Sequence, residues 1–337
     1  MSEDESEDPI QRAAGPEHEL YDIVDWEPRT AIDRAAISVY SGIVVGARRS
    51  VVLLAILIVL AQAGLVVAVL REDPVVAVYI ALSIVPALVL AVYVRQQDTG
   101  AREPLALLVA TFALGFLFAG FAAVLNSGLV GIFEQAGVVG LLAFFYLVVG
   151  PVEEAVKWLA IGLYPYRSPE FSTVVDGAVY GAMAGLGFAT IENALYISQE
   201  VLTAAQVGGA GATISVAAVR SFAGPGHVIY SAFAGYYLGL AKFNADNWGP
   251  IVVKGLLVAA LIHATYNAGV TLLPWVVEVS GLGISTGLAF VGFVILYDGL
   301  FLTLLFEKLR RYRRAFIETG AVDPRADDEE SDEAGTA

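Results

Sequence analysis

The chain contains no cysteine. That absence excludes disulfide bonds, a thiol nucleophile and a thiolate-bound metal. Lysine and histidine are also scarce, since the sequence holds four lysines and three histidines beside fifteen arginines. No basic segment with interleaved aromatic residues occurs, so we expect no nucleic-acid partner. The lack of cysteine, the few lysines and the acidic ends together are typical of a protein from a halophilic archaeon.

Negative charge is concentrated at the two ends of the chain. Residues 1–47 carry a net charge of −8 and residues 318–337 carry −7, whereas the segment between them is neutral. These ends have few large apolar residues and cannot bury enough surface to fold alone. We therefore predict a mostly disordered acidic tail at residues 1–47 and a basic, then acidic, tail at residues 311–337.

Long apolar runs fill the rest of the chain, which is 57% hydrophobic overall. A run of about 20 such residues crosses a hydrocarbon core as a helix, because in lipid the backbone must satisfy its own hydrogen bonds. We predict an all-α fold, a polytopic transmembrane helical bundle of about eight spans, with two accessory helices in residues 48–104 and a core of about six in residues 105–310. The predicted spans are Val51–Leu70, Val75–Val94, Leu105–Leu125, Val138–Tyr164, Val174–Ser198, Ile214–Phe243, Ile251–Leu273 and Ser285–Phe306.

The distribution of basic residues predicts an orientation. One set of inter-span segments holds Arg48, Arg49, Arg95 and the basic cluster at residues 308–314, whereas the other set holds only Arg71. Because basic loops stay in the cytoplasm, we expect a multi-pass protein of the cell membrane with both termini cytoplasmic.

Charged residues within the apolar spans are the main functional signal, since a charge inside a bilayer is costly and rarely kept without a role. The fourth span contains Glu153, Glu154 and Lys157. Spacings of three and four residues place the lysine on the same helix face as both carboxylates. Because Lys157 can neutralise only one carboxylate, the other can act as a general base toward water.

Further polar residues lie in the next three spans. Glu192 and Asn193 are adjacent in the fifth span, and His227 follows Arg220 by seven residues in the sixth. The seventh span adds two more candidates, His263 and Asn267, on one helix face. We predict that these residues form one site with the paired glutamates and that Arg220 pairs with a carboxylate such as Glu192 or Asp298. Asn126, Asp176 and Asp298 are weaker candidates, and Asp176 is placed to cap its helix.

Two chemistries remain after other protease motifs are considered. His-Glu-x-x-His and Gly-x-Gly-Asp are both absent, so neither the usual zinc-protease helix nor an aspartyl pair is expected. In one version Glu153 or Glu154 activates water without a cofactor, and His263 and Asn267 donate to the oxyanion. In the other version Glu153, Glu192, His227 and His263 bind a divalent metal such as zinc, which activates the water.

Four ordered motifs resemble the PrsW family of intramembrane proteases, which is related to the CaaX-prenyl-endopeptidase and bacteriocin-processing superfamily. They are Glu-Glu-x-x-Lys at 153–157, Phe-x-x-x-Glu-Asn at 188–193, Pro-Gly-His at 225–227 and His-x-x-x-Asn at 263–267. The resemblance covers about residues 105–310. It implies site-1 cleavage of membrane-anchored, anti-sigma-factor-like proteins in the bilayer, with the paired glutamates and the histidines as catalytic residues and Glu153 as the base.

A proton- or ion-coupled membrane transporter is the alternative, because buried Glu, Lys and His residues also form proton relays. Transporters are often built from inverted repeats with broken helices in matching positions. We find no such repeat in the sequence. We therefore expect an intramembrane peptide hydrolase whose partners are a membrane-anchored protein substrate and the lipid bilayer.

Overall fold

The computed structural model describes residues 27–97, 103–207 and 210–320, which form helices joined by short connections. No strand occurs within these ranges, and the predicted all-α bundle is confirmed. The helices are α1 (Ala31–Glu72), α2 (Val75–Arg95), α3 (Leu105–Glu134), α4 (Gly137–Phe144), α5 (Gly150–Leu163), α6 (Val174–Val207), α7 (Ala210–Lys242), α8 (Trp248–Ser280) and α9 (Thr286–Thr319). A π-helical segment, Phe145–Val149, joins α4 directly to α5, and short 3₁₀ turns lie at Pro165–Arg167 and Ala245–Asn247.

Seven segments in the described part of the chain are long and apolar enough to cross a membrane. They are α1, α2, α3 and α9, together with three segments that contain or overlap the other helices, Gly137–Arg167, Val174–Thr203 and Ala245–Ser280. The predicted sixth span, Ile214–Phe243, corresponds to α7, which carries Arg220, Pro225 and His227 and lies outside this group of seven. The chain is a multi-pass membrane protein; the side on which its termini lie stays a prediction.

The first and last helices extend beyond their predicted spans. At the start of α1, the Thr30 hydroxyl accepts from the backbone N–H of Asp33. The Asp33 carboxylate in turn accepts from the backbone N–H of Thr30. This reciprocal capping starts the helix at Ala31, so residues 31–47, which were assigned to the disordered tail, are helical. The helix α9 continues to Thr319, where Gly320 ends it with a φ of 62°. Most of both acidic tails, residues 1–26 and 321–337, lies outside the described residues.

Contacts divide the chain into two compact units, Met1–Leu57 and Ile58–Ala337. The described part of the first unit consists mainly of the beginning of α1. The second unit contains the helices from α2 to α9 and every residue of the predicted site.

Helices α6 and α7 are in close backbone contact at the centre of the second unit. A Cβ on Gly181 would lie 2.2 Å from the carbonyl oxygen of Ser231, and one on Gly185 would lie 2.3 Å from that of His227. Residues without side chains let two helices approach this closely. The contact brings the Glu192 segment of α6 beside the His227 segment of α7.

The start of α6 has the cap that the sequence predicts. The Asp176 carboxylate accepts from the backbone N–H of Ser172 at 2.7 Å and from that of Thr173 at 3.1 Å. The Thr173 hydroxyl in turn accepts from the N–H of Asp176. Asp176 therefore satisfies free backbone donors at a buried helix end and is remote from the other polar residues of the predicted site.

Candidate active site

The paired glutamates follow directly after the π-helical segment. Gly150 ends this segment and packs against α8, where an added Cβ would lie 2.6 Å from the carbonyl oxygen of Ala260. Pro151, which lacks an N–H, occupies the first turn of α5, where no hydrogen bond is lost. The close approach at Gly150 and Ala260 places Glu153 and Glu154 beside His263, which lies one helical turn further along α8.

Glu154 and Lys157 form a fully buried ion pair. The Lys157 ammonium donates to Oε1 of Glu154 at 2.7 Å, and both side chains are 0% exposed. The same ammonium lies 2.9 Å from Nδ1 of His227 and 4.1 Å above the Phe188 ring. The Ser231 hydroxyl donates to the other Glu154 oxygen at 3.4 Å. A buried charge is tolerated when it is paired and hydrogen-bonded in this way.

His263 is oriented by Glu154. Its Nδ1 lies 2.9 Å from Glu154 Oε1, and because a carboxylate only accepts, we assign the imidazole proton to Nδ1. The lone pair of Nε2 then faces Oε2 of Glu153, which lies 3.7 Å away. This tautomer makes His263 an acceptor toward the site, in contrast to its predicted role as an oxyanion donor.

Glu153 has one satisfied and one unsatisfied oxygen. Oε1 accepts from the side-chain amide of Asn126 at 3.0 Å. Oε2 is buried and has no hydrogen-bond partner among the described residues. Two acceptors, Glu153 Oε2 and His263 Nε2, therefore face each other in a buried site, an arrangement that a water molecule or a cation satisfies.

Glu192 lies on the other side of His227 and joins the site to Arg220. Its Oε2 lies 2.7 Å from His227 Nε2 and accepts from Nη2 of Arg220 at 2.6 Å. The predicted pairing of Arg220 with Glu192 is therefore present. Arg220 also donates from Nε to the Asn193 side chain at 2.9 Å, and the amide of Asn193 donates to the Ser83 carbonyl at 3.2 Å.

A cavity of about 290 Å³ opens onto these residues. Five of the eight predicted catalytic residues line it, namely Glu153, Glu192, His227, His263 and Asn267. The other three, Glu154, Lys157 and Asn193, are fully buried and are not among its lining residues. Glu154 contacts Lys157 and His263 of the predicted site but does not line the cavity with Glu153.

A sequence model of the "PrsW family intramembrane metalloprotease" family matches residues 103–300, more than half of the chain. The chain belongs to the PrsW family. It is 31% identical over 189 residues to Protease PrsW of Clostridioides difficile, covering 55% of this chain and 76% of that protein. It is 30% identical over 195 residues to Protease PrsW of Bacillus subtilis, covering 56% and 80% of the two chains. No solved structure matches the chain significantly.

Membership of the PrsW family confirms the predicted enzyme class, an intramembrane protease. The transporter alternative is not favoured. The match begins at residue 103, so α1 and α2 lie outside it, yet the buried Ser83 of α2 contacts Asn193 within it. The family is described as one of metalloproteases, so its members use a bound metal ion.

In this PrsW protein Glu153, His227 and His263 could together hold a metal ion if His227 released one of its ring nitrogens, which lie against Lys157 and Glu192. One ligand atom from each lies within 4.8 Å of the others, and two imidazoles with one carboxylate are a common zinc set. The unsatisfied Glu153 Oε2 and the Nδ1 bond that orients His263 also agree with this set, because zinc-bound histidines usually donate their other N–H to a carboxylate. The predicted fourth ligand, Glu192, is not in this group and lies instead against Arg220 and His227.

Several contacts of the PrsW site have little signal in the sequence. Tyr266 lines the cavity, and its buried hydroxyl has no hydrogen-bond partner in the described part of the chain. The Tyr230 hydroxyl donates to Asp298 at 3.0 Å, and the Tyr230 ring lies 5.4 Å from that of His263. Helix-face spacing is the one signal for three of these residues, because Tyr230 and Ser231 lie three and four residues after His227 and Tyr266 lies three residues after His263.

Residues 283–287 form a Gly-x-Ser-x-Gly pattern, which is also found around the nucleophile of serine hydrolases. Its serine, Ser285, is exposed in the turn before α9 and accepts from the backbone N–H of Leu288 at 3.2 Å. It serves as a helix cap and does not line the cavity, so it is not placed to act as a nucleophile in this site.

Proposed function

We propose that this PrsW-family enzyme hydrolyses peptide bonds of membrane-anchored proteins with a water molecule held between Glu153 and His263. The observation that carries the proposal is the 3.7 Å separation of Glu153 Oε2 and His263 Nε2 in a buried site. Both atoms are acceptors in our assignment, so a water between them donates to both and turns its lone pairs toward the cavity. Such a water is positioned to attack a carbonyl in the cavity.

In this proposal Glu153 is the general base. It accepts a proton from the water as the water oxygen bonds to the carbonyl carbon, and it later gives that proton to the leaving amine as the carbon–nitrogen bond breaks. Asn126 holds the other Glu153 oxygen in place. Asn267, which lines the same cavity one turn after His263, donates its side-chain N–H to the negatively charged oxygen that forms.

Glu154 and Lys157 are positioning residues in this proposal. Glu154 fixes the tautomer and ring orientation of His263, and Lys157 keeps Glu154 ionised and in place. Neither lines the cavity, so neither contacts the substrate. Both side chains are fully buried, and the Ser231 hydroxyl also donates to Glu154, which is consistent with a positioning role.

In the alternative version of this site, Glu153, His227 and His263 would hold a metal ion such as zinc in place of the water that bridges Glu153 and His263. When bound, such an ion makes water nucleophilic near neutral pH and polarises the carbonyl oxygen. The donor set and the 4.8 Å grouping of its atoms support this part of the proposal.

We further propose that the substrates are single-span regulatory proteins of the anti-sigma-factor type and that the enzyme lies in the cell membrane with both termini cytoplasmic. The long apolar helices support a position of the cavity within the bilayer, where a membrane-anchored segment would be the accessible substrate. The excess of arginine and lysine in one set of loops supports the orientation.

The test uses purified full-length enzyme and a fluorescent single-span substrate in lipid. We expect Glu153→Gln to lower kcat/KM by about 10²–10⁴-fold and His263→Ala to have an effect of similar size. Glu278→Gln is the matched control, since Glu278 is an exposed carboxylate on the same helix as His263. Wild-type cleavage rates in both site variants would reject the proposal.

A further inference from the structure

A second cavity, of about 280 Å³, lies between α7, α8 and α9 and is separate from the active site. Its inner wall is apolar and includes Phe233, Val258, Ile262 and Phe301. We call it the α7–α9 groove. None of its lining residues also lines the active-site cavity, and none belongs to the four motifs of the family.

The outer end of the α7–α9 groove is basic. Lys308 and Arg311 line it together with Glu307, and Glu307 is already paired with Arg311 one turn away. The Lys308 ammonium lies 5.0 Å from the centre of the Tyr237 ring, and that of Lys254 lies 5.3 Å from the same ring. Two ammonium groups thus converge on one aromatic side chain.

The ion pairs among the described residues include neither Lys254 nor Lys308. Two like charges that share a ring repel each other, and the ring contacts offset only part of that repulsion. An anion at this end of the groove would pair with Lys308, which lines it, and would be attracted by Lys254 beside the same ring. The neighbouring apolar wall indicates that the anion carries hydrocarbon, because a soluble anion would leave that wall uncovered.

Aromatic residues at this end of the helices indicate the depth of the groove in the membrane. Trp248, in the first turn of α8, donates to the hydroxyl of Tyr166 at 2.9 Å, and Tyr236 lies beside Tyr237 on α7. Tryptophan and tyrosine are enriched where the hydrocarbon core meets the headgroups. These aromatic residues support a position of this end of the groove near the lipid headgroups.

We propose that the α7–α9 groove binds an anionic phospholipid, with its phosphate between Lys254 and Lys308 and an acyl chain along the apolar wall. Basic pockets between membrane helices are typical sites for acidic headgroups. This inference concerns a surface apart from the active site and does not depend on the proposed catalytic roles.

The experiment is a titration of dioleoyl phosphatidylglycerol into the full-length protein in neutral detergent, followed by native mass spectrometry. We expect one saturable lipid adduct, and much weaker binding of phosphatidylcholine with the same acyl chains. The double variant Lys254→Ala/Lys308→Ala should weaken phosphatidylglycerol binding by about thirtyfold, since each lysine contributes to headgroup affinity.

The matched control is Arg310→Ala/Arg313→Ala, which removes the same charge from exposed positions of α9 that do not line the groove. Unchanged binding in this control, with loss in the lysine variant, supports the site, whereas equal loss in both variants overturns it. Displacement of the lipid by millimolar inorganic phosphate would show that the site takes a soluble anion and would also overturn the proposal. If the full chain binds no lipid but a chain lacking residues 321–337 does, the acidic tail is the occupant and the proposal is wrong.

Discussion

Nδ1 of His263 lies 2.9 Å from Oε1 of Glu154, the same oxygen that accepts from Lys157 at 2.7 Å. The two adjacent glutamates therefore have different partners at His263. Glu154 contacts Nδ1 of the imidazole and the lysine, whereas Oε2 of Glu153 lies 3.7 Å from the other ring nitrogen, Nε2. In the proposed mechanism, Glu154 orients the histidine and Glu153 accepts the proton of the attacking water.

The first prediction concerns Glu154→Gln. A glutamine can donate as well as accept, so the variant no longer specifies the Nδ1–H tautomer of His263. We expect kcat/KM to fall by about 10–100-fold, the usual effect of losing a carboxylate that orients a histidine. Nitrogen NMR shifts of His263 should change from one tautomer to a mixture. A single unchanged tautomer would show that Glu154 does not orient the ring.

The second prediction concerns the buried pair. Lys157→Met leaves the Glu154 carboxylate without its countercharge, and removal of one partner of a buried pair typically costs about 3–5 kcal/mol. The double variant Lys157→Met/Glu154→Gln should be more stable than Lys157→Met alone. The free energy of unfolding in detergent, measured as a double-mutant cycle, tests this. Additive losses would contradict a direct interaction.

The third prediction concerns the contact between α6 and α7. Gly181→Ala places a Cβ within 2.2 Å of the Ser231 carbonyl oxygen, and we expect it to lower the free energy of unfolding by about 1–3 kcal/mol. Gly128→Ala is the control, since nothing lies within 4 Å of its added Cβ. Equal thermal unfolding temperatures for the two variants would refute the close contact.

The fourth prediction concerns metal binding. Purified enzyme should bind about one zinc ion per chain, because three possible ligand atoms lie within 4.8 Å of one another. Zinc content after dialysis, measured by mass spectrometry of the metal, should fall in His263→Ala and His227→Ala but not in Glu278→Gln. Activity should be lost on chelation and restored by zinc. Full activity in metal-free enzyme would select the version in which Glu153 acts without a cofactor.

The helical bundle and the neighbourhood of the site were predictable from the sequence. Long apolar runs leave helices as the only stable structure in lipid. Each charge within such a run needs a partner, so Glu192 and Arg220 could be expected to meet. The spacing of Glu153, Glu154 and Lys157 placed them on one helix face, but spacing alone could not show which carboxylate would face the cavity.

Contacts between distant helices were not predictable. Ser83 and Asn193 are 110 residues apart in the chain, and the Ser83 hydroxyl also donates to the Ile80 carbonyl of its own helix at 2.8 Å, the bond expected of a serine in an apolar helix. Asn126 and Asp298 could be recognised as polar residues out of place, but their partners depend on how the helices pack. The sequence does not predict the start of α1 at Ala31, because the local cap formed by Thr30 and Asp33 lies within an acidic segment.

The π-helical segment at Phe145–Val149 makes the site sensitive to the number of residues that precede it. A π turn contains one residue more than an α turn, so the helix that leads to Glu153 holds an extra residue within this segment. Deleting a single residue there would restore ordinary helix and change the backbone just before the paired glutamates without altering any side chain of the site. Chain length at this point is thus a determinant of chemistry, and comparisons between relatives should treat a gap within residues 145–149 as seriously as a substitution of Glu153.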